Sequence, residues 1–480
     1  MTGGPVGGGT AGARPRDGGA ASGGRPARDE VSGAGVPAEA RLAWQLARGA
    51  DRREWWRAGL TAAGAALATG FAQAAVVLGS LRGQYHVSVG DGLLNEPGER
   101  SGVVLALVLL LVPVLGFLGQ CARIGAVHRD RRLAGLRLAG ATPAQVRRIA
   151  ALETGPACLL GSLLATAAAV AVVLRLWSSP APAAWAGLAL IALAVPVLGT
   201  AVAVLALRRL VASPLGWVRR ARPRGGRGPA LLFAGGLLVV LPSALWTFGG
   251  ARKGLPLTVF ALVAAVGAGT VWLAGGTARL AGRLVARRAR SAATLIAAER
   301  LRDDPWAAAR THAAVLLVTV VGTGFVGVRQ ALLAELDRMR RDHQLGMPTA
   351  FYTTGIGLTG AAILVALAIT VCGLAVGTAE SLADRRRGLA AQVAAGVPRA
   401  VLGRALLLET ALPLAPALAL AGAGGMAIGT WYATLADGTV TVPYAALLVP
   451  VLVYGCCLAA AATALPLLRR SARPGELRYA

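Results

Sequence analysis

Residues 385–410 read RRRGLAAQVAAGVPRAVLGRALLLET: an arginine run, a leucine- and alanine-rich segment, a glycine–proline turn and a Leu-Glu-Thr triplet. Residues 129–154 repeat the pattern as RDRRLAGLRLAGATPAQVRRIAALET, and an apolar run follows each copy. The turn glycine and the glutamate are equally far apart in both copies. A duplicated basic segment between apolar runs predicts a membrane protein that receives a contact at its cytoplasmic face.

The composition indicates a polytopic helical membrane protein. Of 480 residues, 55% are hydrophobic and 15% are charged, and the mean hydropathy is +0.61. Ten apolar runs are long enough to cross a hydrocarbon core of roughly 30 Å. They are 58–81, 101–121, 152–174, 185–207, 229–248, 255–275, 311–331, 356–378, 406–430 and 443–466. The sequence therefore predicts an all-α fold with ten transmembrane helices.

The formal net charge of +27 reflects 49 basic and 22 acidic residues. If the N-terminus is cytoplasmic, the cytoplasmic loops and tails hold about 40 of the 49 basic residues. This positive-inside bias predicts a multi-pass protein of the plasma membrane with both termini in the cytoplasm. The chain has no soluble module with a basic face and base-stacking aromatic residues, so the arginines predict contact with anionic membrane lipids rather than nucleic acid.

A second pairing supports an internal duplication, because residues 50–57 (ADRREWWR) resemble residues 303–310 (DDPWAAAR) and both precede an apolar run. An even number of spans separates equivalent elements, so the two repeats would face the same way. In chain order we predict a disordered Gly/Ala/Arg-rich tail (1–38), an interfacial amphipathic helix (39–57), a four-span repeat (58–210), a linker and two-span bridge (211–285), a second interfacial helix (286–310), a second four-span repeat (311–470) and a cytoplasmic tail (471–480).

Each basic segment is predicted to form a short helix, a turn and a new helix that enters the membrane. In the second copy apolar residues recur every four positions over 383–404, while Gly396 and Pro398 interrupt the helix. One interpretation is a rigid cytoplasmic projection that acts as a lever for a soluble partner. The other is a solvated loop that only follows the positive-inside rule. The helix, the turn and the Glu-Thr pair occur between the second and third spans of both repeats, and this duplication favours the lever interpretation.

The pattern resembles the FtsX-like permease domain of ABC transporters, the type VII or mechanotransmission class, over about residues 40–470. Two four-span domains joined by a two-span bridge are similar to the BceB-like arrangement. Those proteins carry a large extracellular domain, and the outside loops at about 332–355 and 82–100 are too short to form one. The resemblance implies a permease subunit that couples ATP hydrolysis by a separate cytoplasmic ATPase, in two copies, to export, extraction or mechanical signalling. A sensor kinase or an envelope protein would be a further partner.

The resemblance also implies which residues contact the ATPase. Carried over onto this chain, they are Arg131, Arg132, Ala139, Gly140 and Pro143 in the first copy and Arg385, Arg386, Arg387, Gly388, Ala395, Gly396 and Pro398 in the second. Glu153 and Glu409 lie at the cytoplasmic ends of their spans, where we expect them to snorkel or to pair with nearby arginines.

The chain is not expected to be an enzyme by itself. Its single lysine, Lys253, is not part of a Gly-x-x-x-x-Gly-Lys-Ser/Thr motif, so ATP and Mg²⁺ would bind to the partner ATPase and this chain would bind no cofactor. The histidines are scattered and the cysteines lie within or beside apolar runs, so no metal site is predicted. Two alternatives remain: an ion-coupled secondary transporter, which the scarcity of acidic residues inside the spans disfavours, and a non-transporting signalling or scaffold subunit.

Overall fold

The structure is a computed structural model that describes residues 52–81, 83, 92–95, 97–123, 135, 138–177, 180–206, 255–303, 305–437 and 442–471. The regular elements of these regions are helices, and no strand occurs among them. The predicted all-α class is therefore confirmed for the described residues. The predicted tail 1–38, the first bridge span 229–248 and nearly all of the tail 471–480 lie outside them.

Within the described residues, six helices precede the second predicted repeat: α1 (Arg52–Ser80), α2 (Pro97–Arg123), α3 (Pro143–Leu176), α4 (Pro182–Ala206), α5 (Leu255–Arg288) and α6 (Ala292–Asp303). The second repeat contains α7 (Pro305–Arg341), α8 (Thr349–Asp384), α9 (Arg386–Ala394), α10 (Arg399–Asp437), a 3₁₀ turn (Tyr444–Leu447) that leads into α11 (Leu448–Ala462), and α12 (Leu465–Ser471). We call α1–α4 the first half and α7–α12 the second half of the chain. The short helices α9 and α12 are left out when the helices of a half are counted, so α3 and α10 are each the third helix of their half.

Seven helices of the described chain are long and apolar enough to cross a membrane. They are Trp55–Ser80, Ala144–Leu176, Pro182–Ala201, Thr311–Arg341, Thr349–Ala383, Arg399–Thr434 and Tyr444–Leu468. Each coincides with one of the ten predicted spans. The predicted span 101–121 lies in α2, whose apolar part, Arg100–Leu115, is shorter than the seven. The predicted span 255–275 forms the first part of α5, which is not among the seven.

The two halves share one order of helix packing. In the first half α1 packs along α3 and α4 packs against α3, while in the second half α7 packs along α10 and α11 packs against α10. The second helices of the halves, α2 and α8, pack against each other and join the halves. Helices α5 and α6 break this correspondence, because their extensive contacts are with α10 and, for α5, with α7.

Helices α7 and α10 approach each other through their backbones. Gly425 and Gly429 form a Gly-x-x-x-Gly pair on α10, and Gly429 lies against Gly327 of α7. A Cβ atom on Gly425 would lie 2.6 Å from the carbonyl oxygen of Val320, so the contact has no room for a side chain. In a bilayer, where lipid is as apolar as leucine, helix association depends on such close van der Waals contact.

The corresponding helices of the first half combine a close glycine contact with a buried polar side chain. Gln73 of α1 is fully buried, and its Nε2 donates hydrogen bonds to Thr166 Oγ1 of α3 at 2.8 Å and to the Leu188 carbonyl of α4 at 3.1 Å. Gly161 lets α3 approach the Ala62 carbonyl of α1. One interhelical hydrogen bond in a membrane contributes about 0.6 kcal/mol, and about 1.7 kcal/mol at most, so Gln73 orients the three helices more than it stabilises them.

Replacing Gly425 with alanine tests the close contact between α7 and α10. The added methyl group would meet backbone, so we expect a loss of about 1–3 kcal/mol and a lower thermal unfolding midpoint of the chain purified in detergent. The matched control is Gly357→Ala on α8, where a Cβ atom meets nothing within 4 Å. That change should leave the midpoint unchanged or raise it. Equal midpoints for the two variants would contradict the described contact.

Candidate functional site

The second basic segment consists of two helices with one residue between them. Helix α8 continues to Asp384, well past the predicted end of its span at residue 378, and α9 begins at Arg386. Arg385 lies between them in a turn with φ −91° and ψ 5°. The short helix that was predicted to begin near residue 383 begins at Arg386, and the predicted break at Gly396 is present. The basic segment therefore directly follows the end of a long apolar helix.

Gly396 ends α9 in a left-handed backbone conformation, with φ of 88°. Its N–H donates to the Val393 carbonyl at 3.0 Å, and the N–H of Val397 donates to the Gln392 carbonyl at 3.0 Å. These two bonds form a Schellman motif, in which glycine is favoured because it has no Cβ atom to clash. Gly140 has φ of 98°, so the first copy makes a left-handed turn at the same place.

A proline follows each turn and starts the third helix of its half. In the first copy Thr142 caps α3: its Oγ1 accepts the Gln145 N–H, and the Gln145 side chain accepts the Thr142 N–H. Pro143 occupies the first helical position, where its missing N–H costs no hydrogen bond. In the second copy Pro398 directly precedes α10. The left-handed turn and the proline together redirect the chain into the next long apolar helix.

One face of α9 is attached to its neighbours by apolar side chains from four helices, which we call the basal cluster. Its buried members are Leu382, Leu389, Leu402, Leu406, Ala464 and Leu468, and Val393, Val397 and Leu465 pack against them. The cluster joins α9 to α8, α10 and α12. Because buried side chains pack densely and resist separation, α9 would move together with these helices.

The opposite face of α9 and its turn is exposed and is built from small side chains. Its members are Gly388, Ala391, Ala394, Ala395, Gly396 and Pro398, which we call the exposed face. Arg385 is exposed and Arg386 is half-buried, while the side chain of Arg387 lies outside the described ones. Gly, Ala and Pro side chains lose almost no rotamer entropy when a partner covers them. Because these side chains are small, a groove on a partner protein could come close to the backbone of α9.

Glu409 of α10 joins the basic segment to α6. Its Oε1 accepts a hydrogen bond from Arg385 Nη1 at 2.6 Å, and its Oε2 accepts one from Arg300 Nη1 at 2.8 Å. The carboxylate is 23% exposed, so solvent screens this charge only in part. One side chain thereby links the junction of α8 and α9, the third helix of the second half and the short helix that precedes that half.

Glu153 makes the corresponding ion pair in the first half. Its Oε1 accepts a hydrogen bond from Arg57 Nη2 of α1 at 2.6 Å, and the side chains are 17% and 14% exposed. Both glutamates thus pair with arginines, as the sequence favours. The arginines are not equivalent, because Arg57 belongs to the span helix itself and Arg300 belongs to the separate helix α6.

The structure brings several candidate residues together and leaves others apart. Arg131 and Arg132 lie outside the described residues, Ala139 and Gly140 are exposed, and Pro143 is described by its backbone only. Arg57 and Arg300 were missing from the sequence prediction. A glutamate at the end of an apolar span signals that it needs a cationic partner. The sequence has too many arginines near the ends of the apolar spans for that signal to choose among them.

The described residues contain no group of three or more His, Cys, Asp or Glu side chains that could hold a metal ion. The five cysteines are free thiols. No protein-family model matches the chain, and comparison with curated proteins finds no significant match. The residues and contacts described above are therefore the basis for assigning a function.

Substituting alanine for Gly396 tests the left-handed turn. A Cβ atom there meets nothing within 4 Å, so the cost comes from backbone strain alone, and we expect a loss of about 1–2 kcal/mol. Gly388→Ala on α9 is the matched control, because its Cβ atom also has open space and its backbone is helical. It should stabilise α9 by up to about 1 kcal/mol. Thermal unfolding midpoints that shift in the same direction would rule out this explanation of the turn.

The ion pair of Glu153 can be tested with Glu153→Gln. The change leaves the largely buried Arg57 guanidinium without a carboxylate, and we expect a loss of about 1.5–3 kcal/mol. The control is Glu335→Gln on α7, whose partner Arg338 lies 3.4 Å away and whose side chain is 35% exposed. Exposed pairs contribute little, so the control should change stability by less than about 1 kcal/mol. Similar losses in the two purified variants would count against a structural role for Glu153.

Proposed function

We propose that this chain is the permease subunit of an ABC transporter of the FtsX-like class. It would couple ATP hydrolysis by a separate cytoplasmic ATPase to export, extraction or mechanical signalling at the outer face. One observation carries the proposal: both halves place a left-handed glycine turn before a third helix whose glutamate pairs with an arginine. Two such elements in one chain suit two ATPase subunits.

The proposed topology has ten spans, arranged as two four-span repeats joined by a two-span bridge, with both termini in the cytoplasm. The positive-inside distribution of the arginines supports this orientation in the plasma membrane. The shared packing order of the two halves supports the repeats, and the seven long apolar helices support seven of the spans. In this topology the two basic segments project from the same cytoplasmic surface.

In the proposed mechanism, force enters at the exposed face of α9 and travels along three connections. The basal cluster makes α8, α10 and α12 follow α9. The Arg385–Glu409–Arg300 ion pairs carry the same displacement to α6. The glycine contact packs the backbone of α10 directly on that of α7. Because the two helices are so closely packed, tilting α10 would tilt α7 as well. The outer ends of the helices would then move when the ATPase closes.

The buried polar side chains favour an ATP-driven protein over an ion-coupled carrier. Among the described side chains no aspartate or glutamate is buried, and the buried ionisable residues, Arg100 and His312, lie at the ends of predicted spans. The other buried polar residues are mostly threonines. Proton- and sodium-coupled carriers use ionisable side chains at such depth. A non-transporting signalling subunit would bind its ATPase through the same exposed face. It would differ in that the outer ends of its helices act on a partner protein instead of moving a substrate.

The docking surface can be tested with Ala395→Trp, which adds bulk to the exposed face without touching the basal cluster. The chain would be co-expressed with a Walker-type ATPase that co-purifies with it or is encoded beside it. We expect the variant to reduce complex formation and chain-dependent ATP hydrolysis by about tenfold, equivalent to about 1.4 kcal/mol. The control is Ala350→Trp, an exposed position at the other end of α8.

The Ala350→Trp variant should bind and stimulate the ATPase like the unaltered chain, because its tryptophan lies far along α8 from the proposed docking surface. Thermal midpoints of both variants show whether they fold. The proposal fails if no ATPase co-purifies with the chain, or if the folded Ala395→Trp variant keeps full ATP hydrolysis.

A further inference from the structure

The last turns of α5 carry arginines at every fourth residue, Arg279, Arg283 and Arg287, so the three lie on one face of the helix. Helix α6 packs against this end of α5. Between the two helices is an open cleft. It is lined by Arg283, Ala286, Arg287, Glu299 and Arg302.

Gly282 sets the distance between the walls of this cleft. A Cβ atom at Gly282 would lie 3.2 Å from Arg302 Cγ and 3.3 Å from the Ala298 carbonyl oxygen. The aliphatic stem of Arg302 therefore packs onto the α5 backbone, and α6 lies directly against α5. The arginines of the two helices face one cleft because this glycine allows the close approach.

The cleft has an excess of positive charge. It contains three arginines and one glutamate, and Glu299 Oε1 is already paired with Arg302 Nη1 at 2.5 Å. Within the described part of the chain, no ion pair is found for Arg283 or Arg287. Two like charges four residues apart on a helix repel each other. A phosphate-bearing anion in the cleft would remove this repulsion and accept hydrogen bonds from both guanidinium groups.

Exposed leucines lie beside the arginines. Leu280 and Leu284 of α5 are 56% and 54% exposed, and Leu295 of α6 is 46% exposed. In the proposed topology α5 leaves the membrane here, so the leucines would reach the acyl chains while the arginines reach the headgroups. A soluble phosphate compound would leave these leucines uncovered. The combination of arginines and leucines therefore favours a lipid.

We propose that this cleft binds the headgroup of an anionic phospholipid in the cytoplasmic leaflet. Arg283 and Arg287 hold the lipid phosphate, and Glu299 competes with it for Arg302. The lipid fastens α6 to the end of α5, and α6 also carries Arg300, the partner of Glu409. This inference depends on the cytoplasmic orientation in the proposed topology, and it does not depend on the identity of the ATPase.

The test titrates the full chain, purified in detergent, with fluorescently labelled phosphatidylglycerol. The double variant Arg283→Gln/Arg287→Gln should bind this lipid about tenfold more weakly, because each basic residue near an anionic headgroup contributes appreciably to binding. The double variant Arg399→Gln/Arg404→Gln removes the same charge from two exposed arginines of α10 and should bind within about twofold of the unaltered chain. Glu299→Gln frees Arg302 and should tighten binding.

Two further arms identify the source of the phosphate. Labelled phosphatidylcholine should bind much more weakly than phosphatidylglycerol, and inorganic phosphate should not displace phosphatidylglycerol at concentrations that match the lipid. Displacement by inorganic phosphate would assign the cleft to a soluble phosphate compound and overturn the lipid proposal. Equal losses in the two double variants would also overturn it. If Arg283→Gln/Arg287→Gln loses lipid binding but no form of the chain captures an ATPase, the lipid proposal stands and only the proposed function is refuted.

Discussion

Lipid tails are as apolar as the side chains of these helices, so the hydrophobic effect cannot hold the spans against one another. Association within the bilayer must come from close backbone contact or from polar groups that have no other partner. The second half uses the first means, with Gly425 and Gly429 of α10 against α7. The first half uses both, with Gly161 of α3 against the Ala62 carbonyl of α1 and Gln73 bonded to α3 and α4. The packing order is shared although the contacts differ.

The constraint changes where the helices leave the membrane. Water returns there, so apolar side chains gain free energy by clustering and charged side chains can be paired. The basal cluster and the two glutamate–arginine pairs both lie at the cytoplasmic ends of their helices in the proposed topology. The second basic segment is consequently firmly attached to its spans, while its small exposed residues remain available to a partner. This combination is what a coupling element requires.

Features that neighbouring residues determine could be predicted from the sequence, whereas features that depend on packing between distant helices could not. The glycine turns were predictable, because a glycine followed closely by proline ends one helix and begins another whatever surrounds it. The pairing of Glu153 and Glu409 with arginines was predictable in kind, since a carboxylate near the bilayer needs a cation. The choice of Arg57 and Arg300 was not, because it depends on which helices pack together. The predicted interfacial helix 286–310 proved to be the end of α5, the helix α6 packed on protein, and the start of α7.

By itself, the sequence determined the helical class, the position of seven long apolar helices and the two turns, because apolar run length, glycine and proline act within a few residues of their own position. Only the tertiary structure decided which face of the basic segment is buried, which arginine each glutamate contacts, and that α5 and α6 form an arginine-lined cleft. These features arise where helices distant in the chain meet, and residue spacing along one helix carries no information about its neighbour.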